Sequence, residues 1–224
     1  MTFSLLGRCA DTGAIGLVVS SSSTAVAARC AFAGAGVGAV ASQNITDPRL
    51  GPKGLALLAA GATAADALEK LVAAAPNAEY RQLAILDNGG RGAAYSGSKT
   101  LGLHATARGM GCVAAGNLLA DAGVPATMVA AFEYGVGDPI GTRLVAALRA
   151  GLSAGGEAGP VRSAGLLMVK EAAWPVADLR VDWSEDPIGD LERLWDRWAP
   201  EMDAYVTRAL DPATAPAYGV PGDP

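Results

Sequence analysis

The chain has 224 residues, enough for one domain with a large core. Hydrophobic residues make up 51% and aromatic residues only 5%, so the core is expected to consist of small aliphatic side chains in close backbone contact. The formal net charge is −5 and no cluster of lysine and arginine stands out, so a nucleic acid is not expected as a partner. No window approaches the roughly 20 apolar residues of a membrane helix, so a membrane is not expected as a partner either.

The first half of the sequence predicts a hairpin, a further strand and a pair of helices. The turn signal Asp11-Thr12-Gly13 separates two apolar runs, and Gly51-Pro52 is expected to break the chain before the helices. Thr63 is a candidate N-cap for the second helix. The expected strands are 2–7, 14–20 and 36–42, and the expected helices are 54–60 and 63–75.

The second half predicts another hairpin, a strand, a helix pair, two more strands and a long amphipathic helix. The strands are expected at 82–86, 92–96, 111–115, 163–169 and 178–183, and the helices at 126–135, 139–151 and 187–208. Helices clustered between strand pairs favour an α+β fold of two stacked antiparallel sheets flanked by helices over a doubly wound parallel sheet. We expect one domain over 1–209, and an arm or disordered tail over 210–224.

The cysteines indicate the compartment. Cys9, Cys30 and Cys112 are odd in number and lack CxxC spacing, which favours reduced thiols in the cytoplasm over disulfides or a zinc site. No metal or cofactor is expected. The only histidine, His104, excludes a multi-histidine site; the acidic run 182–190 is typical of a helix start; and the glycines at 34–38 precede a strand rather than a helix.

Thr2 is the first candidate for chemistry, because removal of Met1 would leave a free threonine at the head of an apolar strand. Its amine, with an unperturbed pKa of roughly 7.7–8.0, can take the hydroxyl proton near neutral pH. Threonine paired with its own amine is one of few ways to activate an alcohol without histidine. The alternative interpretation is an ordinary small residue at position 2.

Four stretches of the chain resemble the DUF1028 family of uncharacterised bacterial and archaeal proteins: TFSLLGRCADTGAIGLVVSSSSTAVAAR, GAGVGAVASQNITDPRLGPKGLALLAAG, AAGNLL and VRSAGLLMVK. The resemblance covers nearly the whole chain, from Thr2 to about Trp195. It implies the fold of the N-terminal nucleophile (Ntn) hydrolases, the superfamily of the proteasome β subunits, with a four-layer αββα sandwich. It also implies Thr2 as the nucleophile, but it supplies no activity.

The sequence departs from the proteasome-like pattern after the second strand. Proteasome-like members carry an aspartate there and a lysine on a later strand, whereas this chain has Ser20-Ser21-Ser22-Ser23. The nearest cation is Arg29, which cannot shuttle protons because the pKa of arginine stays above about 12. We therefore expect a different proton relay, or a fold with altered chemistry.

The other candidate site residues stand at or near predicted strand ends. Asn117, after Gly116, is the candidate oxyanion donor; the alternative is a turn or N-cap. Among the candidates for substrate binding, Ser20 and Ser21 have the alternative of a polar loop, and Gln43 and Asn44 have that of a loop cap. The full set of these candidates is Ser20, Ser21, Arg29, Gln43, Asn44, Ser96 and Ser163.

The leading functional hypothesis is an amidohydrolase that cleaves an amide, ureide or peptide bond in a small-molecule substrate. The alternative is a non-catalytic protein of the same fold that binds a small molecule or assembles with a partner enzyme. A third hypothesis is a cyclic or imine-type deaminase that uses the free amine as an acid–base group. From the resemblance, a homo-oligomer, dimer or larger, is expected.

Overall fold

The computed structural model describes residues 1–222, and its strands form two antiparallel sheets. The strands are β1 (Thr2–Arg8), β2 (Ile15–Ser21), β3 (Ala31–Gly34), β4 (Gly38–Asn44), β5 (Arg81–Asp87), β6 (Gly92–Ser96), β7 (Ala105–Gly109), β8 (Cys112–Asn117), β9 (Ser163–Val169) and β10 (Ala177–Val181). The larger sheet has the order β10-β9-β2-β1-β8-β7, and the smaller has the order β3-β4-β5-β6.

Helices connect the strands and cover both outer faces of the sheet pair. They are α1 (Ala27–Cys30), α2 (Leu50–Ala59), α3 (Ala64–Ala74), α4 (Val124–Tyr134), α5 (Ile140–Ser153), α6 (Pro187–Trp198) and α7 (Met202–Leu210). A short 3-10 helix, Ala78–Tyr80, precedes β5. Within residues 1–222, every helix is too short or too polar to cross a bilayer.

Three hydrophobic clusters define four layers. The first joins β1 side chains such as Phe3 and Leu5 to α4, α5 and α6. The second fills the space between the sheets, where Leu6 meets small residues such as Ala84. The third joins the smaller sheet to α2 and α3. The order helix, sheet, sheet, helix confirms the four-layer αββα sandwich that the resemblance implies.

The expected hairpins and most expected helices are present, with differences that have physical reasons. Gly51-Pro52 lies inside the first turn of α2, where proline loses no helix hydrogen bond because the first N–H groups have no partner in the helix. The single helix expected at 187–208 is two helices, separated by the turn at 199–201. Residues 211–222 contain no helix or strand, and positions 223–224 of the expected tail lie outside the described residues.

The central place of β1 positions the N-terminus. This strand pairs with both β2 and β8, so it is buried on both faces. Because side chains alternate along a strand, Phe3 and Leu5 face the helices, while Thr2, Ser4 and Leu6 face the smaller sheet. Thr2 therefore lies at one end of the space between the two sheets.

Candidate functional site

Thr2 is buried at this end of the sandwich, with 5% of its surface exposed. Its hydroxyl donates to the carbonyl oxygen of Met1, and its Oγ1 lies 3.5 Å from Oγ of Ser21. Ser21 occupies the end of β2, and its hydroxyl also donates to the Met1 carbonyl oxygen. Two hydroxyls thus converge on a carbonyl oxygen beside the α-nitrogen of Thr2.

The loop after β2 supports Ser21. Its Oγ lies 2.7 Å from Oγ of Ser23 and accepts from the Ser23 backbone N–H at 3.1 Å. Arg29 donates to the same Ser23 hydroxyl at 2.5 Å and to the carbonyl oxygen of Ala25 at 2.9 Å. Arg29 therefore holds the serine loop in place. It is linked to Ser21 through the Ser23 hydroxyl.

A buried chain of amides connects the two sheets below Thr2. Gln82 uses both hydrogens of Nε2, one for the Gly116 carbonyl oxygen and one for Oγ of Ser96, each at 2.9 Å. Its Oε1 accepts from Nε2 of Gln43 at 2.8 Å and from Nδ2 of Asn117 at 2.9 Å. Because a backbone carbonyl can only accept, Gly116 fixes the orientation of the Gln82 amide, and Gln82 fixes those of its two neighbours.

This fixed orientation determines what Asn117 presents to Thr2. The two residues are direct partners across β1 and β8, so their side chains share a face at about 4.5–5.5 Å between Cβ atoms. One Nδ2 hydrogen of Asn117 is used by Gln82, and its buried Oδ1 has no partner among the described residues. Opposite Thr2, Asn117 therefore offers an unused acceptor and a second N–H.

The remaining predicted residues divide into those near Thr2 and those elsewhere. Ser163 is the register partner of Ser21, and its hydroxyl donates to the Ser23 carbonyl oxygen at 2.6 Å. Ser20 lies on the opposite face of β2, where it donates to the Ser163 carbonyl oxygen, so the structure does not bring its hydroxyl to Thr2. Asn44 is an αL residue that bonds the backbone of Tyr80 and Leu101.

Gln43 and Ser96, two further residues predicted to bind substrate, belong to the amide chain. Gln43 accepts from Ser4 at 2.8 Å and donates to Gln82, while Ser96 accepts from Gln82. Neither makes a hydrogen bond to Thr2. His104 is exposed, and among the described residues its ring is hydrogen-bonded only to the Gly102 carbonyl oxygen. It therefore has no hydrogen bond to the residues around Thr2.

Glu157 is a residue of this region that the sequence analysis missed. It is 4% exposed, and both carboxylate oxygens lie 3.1 Å from the backbone N–H of Ser22, the neighbour of Ser21. Burial raises the pKa of this carboxyl from 4.5 to about 7, although the positive N-terminus and the Ser22 N–H lower it in part. A group that changes charge near neutral pH therefore lies beside the N-terminal segment.

Glu157 should make the stability depend on pH. Because its pKa is raised on folding, its stabilising contribution is complete below the unfolded value of 4.5 and is lost as pH rises through about 7. We expect Glu157→Gln to be more stable than the wild type by on the order of 2–3 kcal/mol at about pH 8, with little difference at about pH 4. Urea unfolding across this pH range measures the difference.

The exposed Glu69 provides a matched control for this measurement. Glu69→Gln should give a stability curve parallel to that of the wild type at every pH. Parallel curves for Glu157→Gln and the wild type would contradict this prediction, because they would show that folding does not raise the pKa of the Glu157 carboxyl.

Comparisons with known proteins identify relatives of the chain. The sequence model of DUF1028, a family of unknown function, matches residues 2–191. The crystal structure of protein SPO2555 from Silicibacter pomeroyi, which carries the same family designation, has a TM-score of 0.81 and 31% sequence identity, over 88% of this chain and 85% of that one. No curated protein sequence matches the chain.

A second solved structure is more distant. Anbu, the ancestral β-subunit from Yersinia bercovieri, gives a TM-score of 0.40 and 8% identity, over 91% of this chain and 97% of that one. A score of this size is too low to establish a common fold. The four-layer arrangement is therefore established by the strands and helices of this chain and not by this comparison.

Proposed function

The chain belongs to the DUF1028 family, and on that premise we propose that it is an Ntn-type amidohydrolase with Thr2 as its N-terminal nucleophile. Its substrate is a small molecule with an amide, ureide or peptide bond. The proposal requires removal of Met1, which frees the α-amine of Thr2 beside the Thr2 hydroxyl. Hydroxyl and amine on one residue then form the nucleophile and its base.

One observation carries the proposal. In the chain with Met1, the hydroxyls of Thr2 and Ser21 both donate to the Met1 carbonyl oxygen. Loss of Met1 removes that oxygen and leaves its donors in a buried place next to the new amine. The Met1 carbonyl therefore stands in for the carbonyl group of an acyl substrate at the same position.

The reaction follows in two steps. Oγ1 of Thr2 attacks the substrate carbonyl carbon and its proton passes to the Thr2 amine, which then protonates the leaving nitrogen as the C–N bond breaks. An acyl ester on Thr2 remains. Water attacks this ester and gives one proton to the amine, which passes it to Oγ1 of Thr2 as the C–O bond breaks, so that the carboxylic acid and the free hydroxyl are released. Ser21 donates to the oxyanion in both steps.

Two neighbours replace the absent aspartate and lysine in this proposal. Oδ1 of Asn117 accepts one N–H of the Thr2 amine and so orients its lone pair, while the unused N–H of Asn117 is a further donor for the oxyanion. Glu157 supplies the negative charge that accompanies the amine when it is protonated. Asn117 thus acts on the amine as well as in the oxyanion role expected from sequence.

Ser21 provides a quantitative prediction. Ser21→Ala should lower kcat by roughly 10²–10³-fold, the cost of one oxyanion donor in a preorganised site. The matched control is Ser22→Ala, because the Ser22 hydroxyl makes no hydrogen bond among the described residues and only its backbone N–H is used. If both variants keep the wild-type kcat, Ser21 has no part in stabilising the oxyanion.

A covalent probe tests the proposed nucleophile. A β-lactone acylating reagent should form an ester on the Thr2 hydroxyl, found by tandem mass spectrometry on the N-terminal peptide. The label should be absent from Thr2→Ala and retained by Ser22→Ala. Equal labelling of the wild type and Thr2→Ala would overturn the proposal.

The second candidate function is binding or assembly without catalysis. The observation that favours it is the serine run at Ser20–Ser23, which has neither the aspartate nor the lysine of the proteasome-type relay. This alternative predicts a free Thr2 amine with no acylation by the probe. The probe experiment therefore separates the two functions directly.

A further inference from the structure

A cavity lies at the opposite end of β1 from Thr2. Its volume is about 800 Å³, within the roughly 300–1,000 Å³ of sites that bind small molecules. Its walls are formed by the end of β1, the turn before β8, the α4–α5 connection, and parts of α6 and α7. Apolar side chains form much of the lining: Val136, Ile140, Met168, Val176, Trp195 and Met202.

One wall is held rigidly. The Trp195 indole donates to Oγ1 of Thr142 at 3.1 Å and packs against the backbone of Gly141, where an added Cβ would lie 2.2 Å from the ring. Trp195 is 4% exposed in spite of its size. The position of Trp195 in the cavity wall is therefore fixed before any ligand arrives.

A buried cation also lines this cavity. Arg143 of α5 is 6% exposed, and its Nε and Nη2 donate to the Phe132 carbonyl oxygen at 3.0 and 2.9 Å. Its guanidinium carbon lies 3.9 Å from the centroid of the Phe132 ring. These contacts fix the side chain but do not neutralise it, because no carboxylate lies within ion-pair distance of Arg143 among the described residues.

A guanidinium presents five N–H donors, so the two bonds to the Phe132 carbonyl oxygen leave three, two on Nη1 and one on Nη2 of Arg143. A buried charge without a counter-ion is costly, and an anion in the cavity would remove that cost. Arg8 lies nearby in the same lining, and its buried Nε has no partner within residues 1–222. The interior of the cavity therefore carries positive charge beside apolar walls.

The remaining charges of the lining lie at the surface. The half-buried Lys170 adds a cation, and the carboxylates of Asp11, Glu133, Asp138 and Asp203 are all exposed. Glu133 accepts from the backbone N–H of Met110 at 2.6 Å. Exposed carboxylates are hydrated and screened by salt, so they offset only part of the attraction of buried Arg143, which is screened much less.

We propose that this cavity binds an amphipathic carboxylate, with its carboxylate on Arg143 and its apolar chain along Trp195 and Ile140. Arginine suits the head group because its planar fork donates two parallel hydrogen bonds to a carboxylate. The apolar walls suit a hydrocarbon body of small-ligand size. The site is separate from Thr2 and does not depend on the proposed hydrolase activity.

The test uses sodium octanoate as the probe, with 1-octanol as a neutral ligand of the same chain length. Calorimetric titration of the whole protein should show one octanoate per chain, bound at least about tenfold more tightly than octanol. Arg143→Gln should lose about tenfold or more in octanoate affinity and leave octanol binding unchanged. Thr2→Ala should bind octanoate like the wild type, which keeps this test independent of catalysis.

A second variant covers the case in which Arg143→Gln fails to fold. Val136 lines the cavity and is 75% exposed, so Val136→Asp places a negative charge at the mouth without disturbing the core. It should weaken octanoate binding severalfold, whereas Leu103→Asp, an exposed apolar position outside the cavity lining, should not. No octanoate binding, equal binding of octanol, or equal weakening by both aspartates would overturn the proposal.

Discussion

Replacing Thr2 by alanine is expected to lower kcat/KM by roughly 10⁴-fold or more, because the attacking atom itself is removed. Thr2→Ser keeps both a hydroxyl and an α-amine on the same residue, so it should retain measurable turnover. The measurement is release of aminocoumarin from a panel of acyl-aminocoumarin amides, followed by kinetics on the best substrate. The loss reflects chemistry rather than folding if thermal unfolding of the two variants is alike.

The contacts of the Thr2 side chain explain why Thr2→Ala tests the chemistry rather than the stability of the fold. The Thr2 side chain is buried but, within residues 1–222, makes hydrogen bonds only to Met1 and Ser21, so its removal breaks no connection between the sheets. Turnover by Thr2→Ala equal to that of the wild type would place the chemistry elsewhere in the molecule. Loss of activity in both variants together with loss of folding would assign Thr2 a structural role instead.

Replacing Gln82 by leucine is expected to destabilise the fold by on the order of 4 kcal/mol, because four hydrogen bonds end on this one buried amide. Leucine has a similar volume but removes the acceptor of the buried Nε2 of Gln43 and Nδ2 of Asn117 and the donor to the Gly116 carbonyl oxygen. Urea unfolding measures the loss. The substitution should also reduce turnover, since Asn117 would no longer be held opposite Thr2.

The N-cap residue Thr63 provides the comparison for Gln82. Its hydroxyl accepts one exposed hydrogen bond, from the backbone N–H of Asp66 at 3.2 Å, so Thr63→Ala should cost only about 1 kcal/mol and leave turnover unchanged. If Gln82→Leu costs no more than Thr63→Ala, the amide chain between the sheets is not an important source of stability.

Local patterns in the sequence predict much of the fold. The turn Asp11-Thr12-Gly13 between apolar runs predicts the β1–β2 hairpin, and Thr63 before an amphipathic stretch predicts the start of α3. Their neighbours in sequence are also their partners in the structure, so short-range chemistry is sufficient. The layer order required the family resemblance in addition, because it depends on how distant segments associate.

Weaker signals explain the missed elements. The edge strand β7, Ala105–Gly109, is half-exposed and has only alanines at its apolar positions, and β3, Ala31–Gly34, has only four residues, so neither gives a strong strand signal. Tertiary packing, rather than local propensity, decides the structure of these two strands. The break after Trp198 is different, because Pro200 disfavours a continuous helix through the turn at 199–201 and so marks the break in the sequence.

The residues of the candidate site also divide into those that the sequence predicts and those that it does not. Thr2 and Ser21 are foreseeable because the hairpin brings the start of one strand to the end of the next. Glu157 is 135 residues from Ser22 in sequence, and the surrounding glycines and alanines give no sign that its carboxyl folds back to the serine loop. Arg143 likewise has the appearance of a surface helix residue until α4 and the cavity surround it.

If Thr2 is the nucleophile, it is the first residue of the working protein once Met1 has been removed. Intact-mass spectrometry of the protein purified from its own cells, with sequencing of the N-terminal peptide, identifies that first residue. We expect a chain that begins with an unmodified Thr2 amine. A chain that retains Met1, or whose Thr2 amine is acylated in the native protein, would contradict it.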